Sequence, residues 1–249
     1  MEKQQLKSML LGGLLTALVT ACSAGNSTPA VPGPGSASTI RSATPFLNLR
    51  SATPFAILGG STVTNTRHTK VFGNVGLSPG ISITGYPPGV IHGRVYIHDR
   101  VARRAQLDLT SAYNDAMGRT HNRITLSGNI GGQTLYPGLY YSTSSLAISS
   151  GDLTLDARGH SGAVFLFQIG STFTMTTGLR VVLTNGASAR NVFWAVGSSA
   201  TFGTSCFFYG NLLVQKSISM ATGTVMIGRA LSRVGAVTLQ KNTIVKPAR

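Results

Sequence analysis

The sequence predicts a mainly β fold wound as a β-solenoid, with one long α-helix laid against it. Three observations lead there. Four stretches align when written in rows about eighteen residues apart, the mark of stacked repeats that touch only their neighbours. They are Gly170-Ser-Thr-Phe-Thr-Met-Thr-Thr-Gly-Leu-Arg-Val-Val-Leu183, Gly197-Ser-Ser-Ala-Thr-Phe-Gly-Thr-Ser-Cys-Phe-Phe-Tyr-Gly210, Gln215-Lys-Ser-Ile-Ser-Met-Ala-Thr-Gly-Thr-Val-Met-Ile-Gly228 and Arg233-Val-Gly-Ala-Val-Thr-Leu-Gln-Lys-Asn-Thr-Ile-Val245. Within the rows, Phe173 and Met175, Ala200 and Phe202, Ile218 and Met220, and Val237 and Leu239 alternate with Thr174 and Thr176, Thr201 and Gly203, Ser219 and Ala221, and Thr238 and Gln240. Successive strand residues point to opposite sides, so the first set is expected to fill the solenoid and the second to face out. The third observation is a single convincing helix, from about residue 100 to 117. Stacking repeats each outward residue on every coil, so a column of Thr becomes a lattice of hydroxyls and methyls, suited to a partner that is itself periodic.

In chain order, residues 1–22 read as an export leader. Lys3 and Lys7 flank its start, Met9 to Val19 is apolar apart from Thr16, and Val19-Thr20-Ala21-Cys22 follows. An apolar run of this length is too short to span a bilayer as a helix. Small residues before a Cys resemble the bacterial lipoprotein box, in which Cys22 would be lipidated and become the new N-terminus. By the same resemblance, Ser23 in place of Asp favours the outer membrane. The chain is expected to be exported, as an outer-membrane or cell-surface lipoprotein and otherwise as a secreted protein. Residues 23–46 form a Pro/Gly/Ser-rich tether with little to bury, and 47–249 are assigned to the solenoid domain. The hexamer Arg-Ser-Ala-Thr-Pro-Phe occurs at 41–46 and 50–55 and leads into the fold.

Short strands are expected at Phe55 to Leu58, Thr62 to Thr66 and Lys70 to Phe72, with turns at Gly76 to Gly80 and Gly85 to Gly89. In the helix, Asp99 serves as N-cap and Gly118 as a left-handed stop. Val101, Ala102, Ala105, Leu109, Ala112 and Ala116 make an apolar stripe, and Arg100, Arg103, Arg104 and Arg119 are expected to face solvent. Later segments apolar on both sides, Val181 to Leu183, Phe207 to Tyr209, Val225 to Ile227 and Ile244-Val245, call for a cover. The Ala-striped helix is expected there, leaving the Thr-bearing side bare.

Composition limits the chemistry. The chain of 249 residues is 42% hydrophobic and carries a formal charge of +15 from 21 basic and six acidic residues. Its one Glu is Glu2; removing the leader takes away Lys3, Lys7 and Glu2 and leaves +14, with five Asp. If Cys22 carries lipid, Cys206 is unpaired and reads as a small buried hydrophobe rather than a reactive thiol. Asp99, Asp108 and Asp115 belong to the helix, and Asp152 and Asp156 read as turn residues. Paired catalytic carboxylates are therefore not evident. His92 and His98 bracket a strand without acidic or thiol partners for a metal. No catalytic residue, metal site or cofactor is expected.

Phe55-Ala-Ile-Leu-Gly-Gly-Ser-Thr-Val-Thr-Asn-Thr66, Gly73 to Gly80, Asp108 to Ala116, Tyr136-Pro-Gly-Leu-Tyr140, Ala163-Val-Phe-Leu-Phe-Gln-Ile-Gly170, Asn191-Val-Phe-Trp-Ala-Val-Gly197 and Gly228 to Thr238 resemble the secreted microbial ice-binding proteins, over residues 47 to 247. The resemblance implies a discontinuous right-handed solenoid of roughly triangular section with a long helix alongside. It also implies binding to ice through one flat face, inhibiting growth or recrystallisation, without catalysis or cofactor. The family's Thr-hydrophobe-x-Thr pattern stands in Thr201-Phe-Gly-Thr204, weakens in Ser219-Met-Ala-Thr222 and ends as Thr238-Leu-Gln-Lys241, with Arg67 interrupting the first coil. The expected face comprises Thr64, Thr66, Ser149, Thr174, Thr176, Thr177, Thr201, Gly203, Thr204, Ser219, Ala221, Thr222, Thr238 and Gln240.

The partner is then an ice crystal surface, met by a monomer, with a membrane engaged only through the lipid anchor. Rival readings are a polysaccharide-cleaving solenoid, which the scarce carboxylates disfavour, and a surface adhesin or module for anionic glycans or lipopolysaccharide. The second is supported by the charge. The basic residues are spread along the chain without interleaved aromatics, so no specific nucleic acid is expected.

Overall fold

The computed structural model describes residues 44–248; the leader, Cys22 and the tether through residue 43 lie outside the described residues. Each turn of chain lays down three short strands on three sides, and the strands pair in parallel with those of the adjoining turns, the outermost ones on one side only. The first turn is Phe55–Gly59, Thr62–Asn65 and Lys70–Phe72. The second is Asn74–Leu77, Ser82–Thr84 and Val90–His92, closed by Val95–Ile97. Helix α1, Arg100–Gly118, then carries the chain to the other end. From Arg123–Thr125, Gly128–Asn129 and Thr134–Leu135 the turns wind back. They finish with Val237–Leu239 paired to Thr62–Asn65 and Thr243–Val245 paired to Lys70–Phe72. The last turn therefore stacks on the first, and the chain break falls inside the solenoid. A 19-residue helix is about 28 Å long, the height of roughly six coils at 4.8 Å each. That length is what the single return path needs.

The break is sealed by polar side chains. Arg229, buried, donates from Nε to the Thr53 carbonyl at 2.9 Å and from Nη1 to Asn211 Oδ1 at 2.5 Å. Burial lowers its pKa to about 10, because both acceptors are neutral and cannot replace the hydration of the charge. Gln106 of α1 donates to the carbonyls of Gly59 and Ser232, one on each side of the seam. Among the described residues all strand partners lie within residues 55–245.

Inside, the register stacks like on like. Tyr140, Phe167 and Trp194 occupy one column, with ring centroids 5.1 and 3.9 Å apart and nearly parallel planes. Trp194 is fully buried and donates its indole N–H to the Tyr209 carbonyl. Phe173, Met175, Ala200, Phe202, Ile218, Met220, Val237 and Leu239 all point into this core as the alternation predicts.

The helix lies on a different side from the one expected. It covers Phe55–Gly59, Phe165–Ile169, Val192–Val196 and the second halves of Phe207–Val214 and Val225–Ser232. There Leu58, Leu166, Phe193, Leu213 and Leu231 meet Ala105, Leu109, Ala112 and Ala116. The segments Val181 to Leu183, Phe207 to Tyr209, Val225 to Ile227 and Ile244-Val245 form the uncovered third side. Their outward residues are half-buried or exposed, Phe207 at 37%. Both sides are apolar in sequence; what separates them is the Ala stripe, which needs bulky outward Leu and Phe to fill the gap beneath it.

Three details of the helix also differ. Val101 is exposed, the buried stripe running through Ala102, Ala105, Leu109, Ala112, Tyr113 and Ala116. Gly118 is the last helical residue rather than a left-handed stop, and Arg119 continues in extended conformation. The buried Gln168 amide donates to the carbonyls of Ala116 and Arg119 and satisfies the helix end from the sheet. Arg119 is half-buried, its guanidinium held by Asp115 and the carbonyls of Pro45 and Phe46. Asp99 does cap the helix, accepting from the Ala102 N–H at 2.7 Å. Upstream, Gly76 and Leu77 belong to the strand Asn74–Leu77 instead of a turn.

Candidate functional site

The Thr-bearing side is a sheet of eight parallel strands in the order Ser82–Thr84, Thr62–Asn65, Val237–Leu239, Ile218–Met220, Ala200–Phe202, Phe173–Met175, Leu146–Ile148 and Gly128–Asn129. Most of these strands are three residues long with inward first and third residues, so each presents its middle residue outward. The register aligns those residues in one column: Thr84, Thr64, Thr238, Ser219, Thr201, Thr174, Ala147 and Asn129.

A second column lies two residues on, at Thr66, Gln240, Ala221, Gly203, Thr176 and Ser149. It is held in step by bonds such as Thr176 N–H to Ile148 O, Gly203 N–H to Met175 O and Ala221 N–H to Phe202 O. Every one of the fourteen expected face residues lies on this side or at its corner. Thr177, Thr204 and Thr222 sit where the strand has ended, and the turn swings them outward. The Thr204 N–H donates to Thr177 Oγ1 at 3.2 Å. Gly203 is required for that approach: a Cβ there would come within 2.6 Å of the Thr177 nitrogen.

Sequence reasoning missed a third column two residues before the centre, Ser82, Thr62, Ala236, Ser217, Ser199, Thr172 and Ser145. It also missed Thr84, Ala147 and Asn129 in the centre. The third column's hydroxyls point along the stack. Ser145 Oγ and Thr172 Oγ1 are 2.8 Å apart, Ser199 Oγ accepts the Ser217 N–H, and Ser217 Oγ accepts the Ala236 N–H. Serine corners give no hydrophobic period to read, which is why they went unnoticed. Asn129 fixes the far end through Ser150 Oγ and the N–H groups of Gly131 and Ser149.

These columns carry no acid or base. Tyr86, next in the second column, is half-buried and packs against the core, and burial pushes its hydroxyl pKa up. Lys241 and Arg67 stand at the corner rather than within the columns. The corner at Lys241 is one residue shorter than its neighbour, since Val225 pairs with Thr243 while Ser219 pairs with Thr238. Lys241 adopts φ +53°, the left-handed conformation that Gly178, Ser205 and Gly223 take at the same corner of the neighbouring coils. Cys206 lies beneath the same corner, buried, its Sγ 3.2 Å from the Thr176 carbonyl. Burial raises the thiol's pKa, so it stays a neutral filler. Among the described residues no three His, Cys, Asp or Glu side chains gather as metal ligands.

Adjacent strands of such a sheet lie about 4.8 Å apart and alternate residues roughly 6.6 Å apart. The side is thus an open grid of small hydroxyl, methyl and amide groups. The profile of the family described as Ice-binding-like matches residues 57–245. The chain belongs to that family. An ice-binding protein from Nostoc sp. (strain HG1) is 46% identical over 189 residues, covering 76% of this chain and 70% of the relative. The ice-binding protein of Flavobacterium frigoris (strain PS1) is 34% identical, with 86% and 81% covered. Among solved structures, an ice binding protein from an Antarctic biological consortium superposes with TM-score 0.82 at 52% identity, over 83% of this chain and 93% of that one. Family membership and the eight-strand grid rest on independent observations.

Proposed function

We propose that the protein binds ice through its Thr-bearing side and so restrains ice growth or recrystallisation. The observation that carries this reading is the uncharged three-column grid spread over eight coils, with no element packed on it among the described residues. Thr suits such a grid because its χ1 is restricted, its hydroxyl joins a water network and its methyl orders the water beside it. Each contact is weak. A rigid lattice loses little entropy on adsorption, and its contacts act together. The fourteen expected residues run from the centre column to one corner of this surface, and the Ser/Thr column on the opposite side and Thr84 extend it. The reading is of a non-catalytic, cofactor-free monomer; the names of its relatives agree with the ice binding alone. We further propose export, with Cys22 bearing the lipid; the mass of the N-terminal peptide from membrane-extracted protein checks this.

The deciding experiment is slow freezing of residues 23–249 beside the Thr201→Tyr variant. Native protein is expected to enter the growing ice, and the variant to stay in the liquid with unchanged thermal unfolding. If the native protein stays in the liquid, the ice-binding reading fails. If the variant enters the ice equally, this side is not the one that binds.

A further inference from the structure

The solenoid end built by residues 81–97 differs from the rest of the surface. Among the described residues, Ser82–Thr84, Val90–His92 and Val95–Ile97 are each the outermost strand on their side, with a partner strand on one side only. Aliphatic side chains gather there: Ile81 is 73% exposed, Val90 48%, Val95 45% and Ile97 43%. Arg94 lies between the last two strands, Arg100 and Arg103 occupy the first turn of α1, and Lys70 pairs in register with Val90. All four side chains are exposed and make no ion pair or hydrogen bond among the described residues. Residues 54–98 contain no Asp or Glu, nor do residues 157–249, whose last strands stack on the first turn, one coil in from this end. Asp99 caps the start of α1, accepting from the Ala102 N–H, and its single negative charge offsets the helix dipole but leaves these four cations in excess.

We propose that this end docks peripherally on an anionic lipid surface, independently of the lipid on Cys22. Charge complementarity selects the partner. A second copy would bring like charges together, and Pro87, Pro88 and Arg94 blunt the edge against strand pairing. A soluble polyanion would use the cations but leave the four aliphatic side chains in water. An anionic bilayer interface takes both, burying apolar groups at headgroup depth while its phosphates meet the cations. No described helix is long and apolar enough to cross a membrane, so the contact is one of surface adsorption. The Thr columns run along the side of the stack, so docking by its end engages only their last coil, Ser82–Thr84, and leaves the other seven strands open.

The test is co-sedimentation of residues 23–249 with vesicles of phosphatidylcholine and of phosphatidylcholine containing one quarter phosphatidylglycerol, at low and high salt. Binding is expected only to the anionic vesicles, and weaker at high salt. Each of Arg94→Gln and Arg100→Gln should weaken it about fivefold, from the typical worth of one cation near such a surface. Ile97→Ser should weaken it as well, and Val90→Thr serves in its place if that variant fails to fold by circular dichroism. Ice adsorption should survive every one of these changes, so failure here is distinguishable from failure of the ice-binding reading. Three results overturn the proposal: binding to heparin but not to vesicles, vesicle binding indifferent to these substitutions, or a doubled mass on sedimentation that Ile97→Ser abolishes, without lipid binding.

Discussion

Two sides of this solenoid are both parallel sheets with a shared core beneath them, and they part in what their outward positions carry. Under α1 those positions hold Leu58, Leu166, Phe193, Leu213 and Leu231; on the open side they hold Thr64, Thr174, Thr201, Ser219 and Thr238. The first set cannot remain in water and draws a helix whose Ala stripe lets it approach closely. The second set has hydroxyls that stay hydrated, and its shape invites no cover. A parallel sheet commonly needs burial on both faces. Here the inward face alone supplies a full core, which frees the other to remain flat and wet.

The largest expected effect breaks the covered side. Leu213 is fully buried beneath the helix, so Leu213→Asp places a carboxylate where no partner exists. The cost should exceed about 4 kcal/mol, the loss of a core Leu plus desolvation of a charge. Thermal unfolding should fall far or lose cooperativity. At Thr201, exposed on the open side, Thr201→Tyr should change stability by less than about 0.5 kcal/mol. Equal losses at the two positions would mean that the open side is also structurally loaded.

A smaller effect sharpens the contrast through pH. The covered side is fastened by an ionisable contact: Asp108 of α1 accepts from Ser51 Oγ at 2.5 Å and from Ser51 N–H at 3.2 Å, with Arg104 Nε 3.4 Å away. The Ser51 hydroxyl bond, ahead of the other contacts, holds the Asp108 pKa below its ordinary value. A depressed folded-state pKa contributes stability above the unfolded value, near about 3.9, and loses it as pH falls through the folded value. Acid should therefore loosen the helix and the Leu47–Ala52 segment while leaving the uncharged Thr columns unchanged. Asp108→Asn should cost about 1–3 kcal/mol at neutral pH and flatten the acid limb of a urea-midpoint profile measured between pH 2 and 5.

The contrast also explains what could be read in advance. The Thr columns were legible because strand alternation puts Phe173 and Thr174 on opposite sides whatever else the chain does. The helix was legible from Asp99 and its Ala stripe, but its seat was not. Val192 to Val196 and Val225 to Ile227 both look like strands apolar on two sides, and only the completed stack shows which lies under α1. The pairing of Thr243–Val245 with Lys70–Phe72 was equally hidden, since it joins distant segments and leaves no local period. Gln168 replaced the glycine stop at Gly118 for a similar reason. Its partners, Ala116 and Arg119, are remote in sequence.

The smallest expected effect concerns the corner where the Thr pattern ends. Sequence alone suggests that Lys241→Thr would complete the lattice begun at Thr177, Thr204 and Thr222. The backbone argues otherwise. Position 241 sits at φ +53° in the shortened corner, a conformation strained for any side chain with a Cβ and most strained for a β-branched one. Lys241→Thr should cost about 1–2 kcal/mol in urea unfolding and leave ice adsorption no stronger. Gln240→Thr, one residue back in the second column and outside the left-handed region, should be within about 0.5 kcal/mol of native and should strengthen adsorption or leave it equal. If Lys241→Thr proves both stable and more active, the corner is softer than its backbone implies. The boundary of the binding surface would then lie beyond the last strand residue instead of at it.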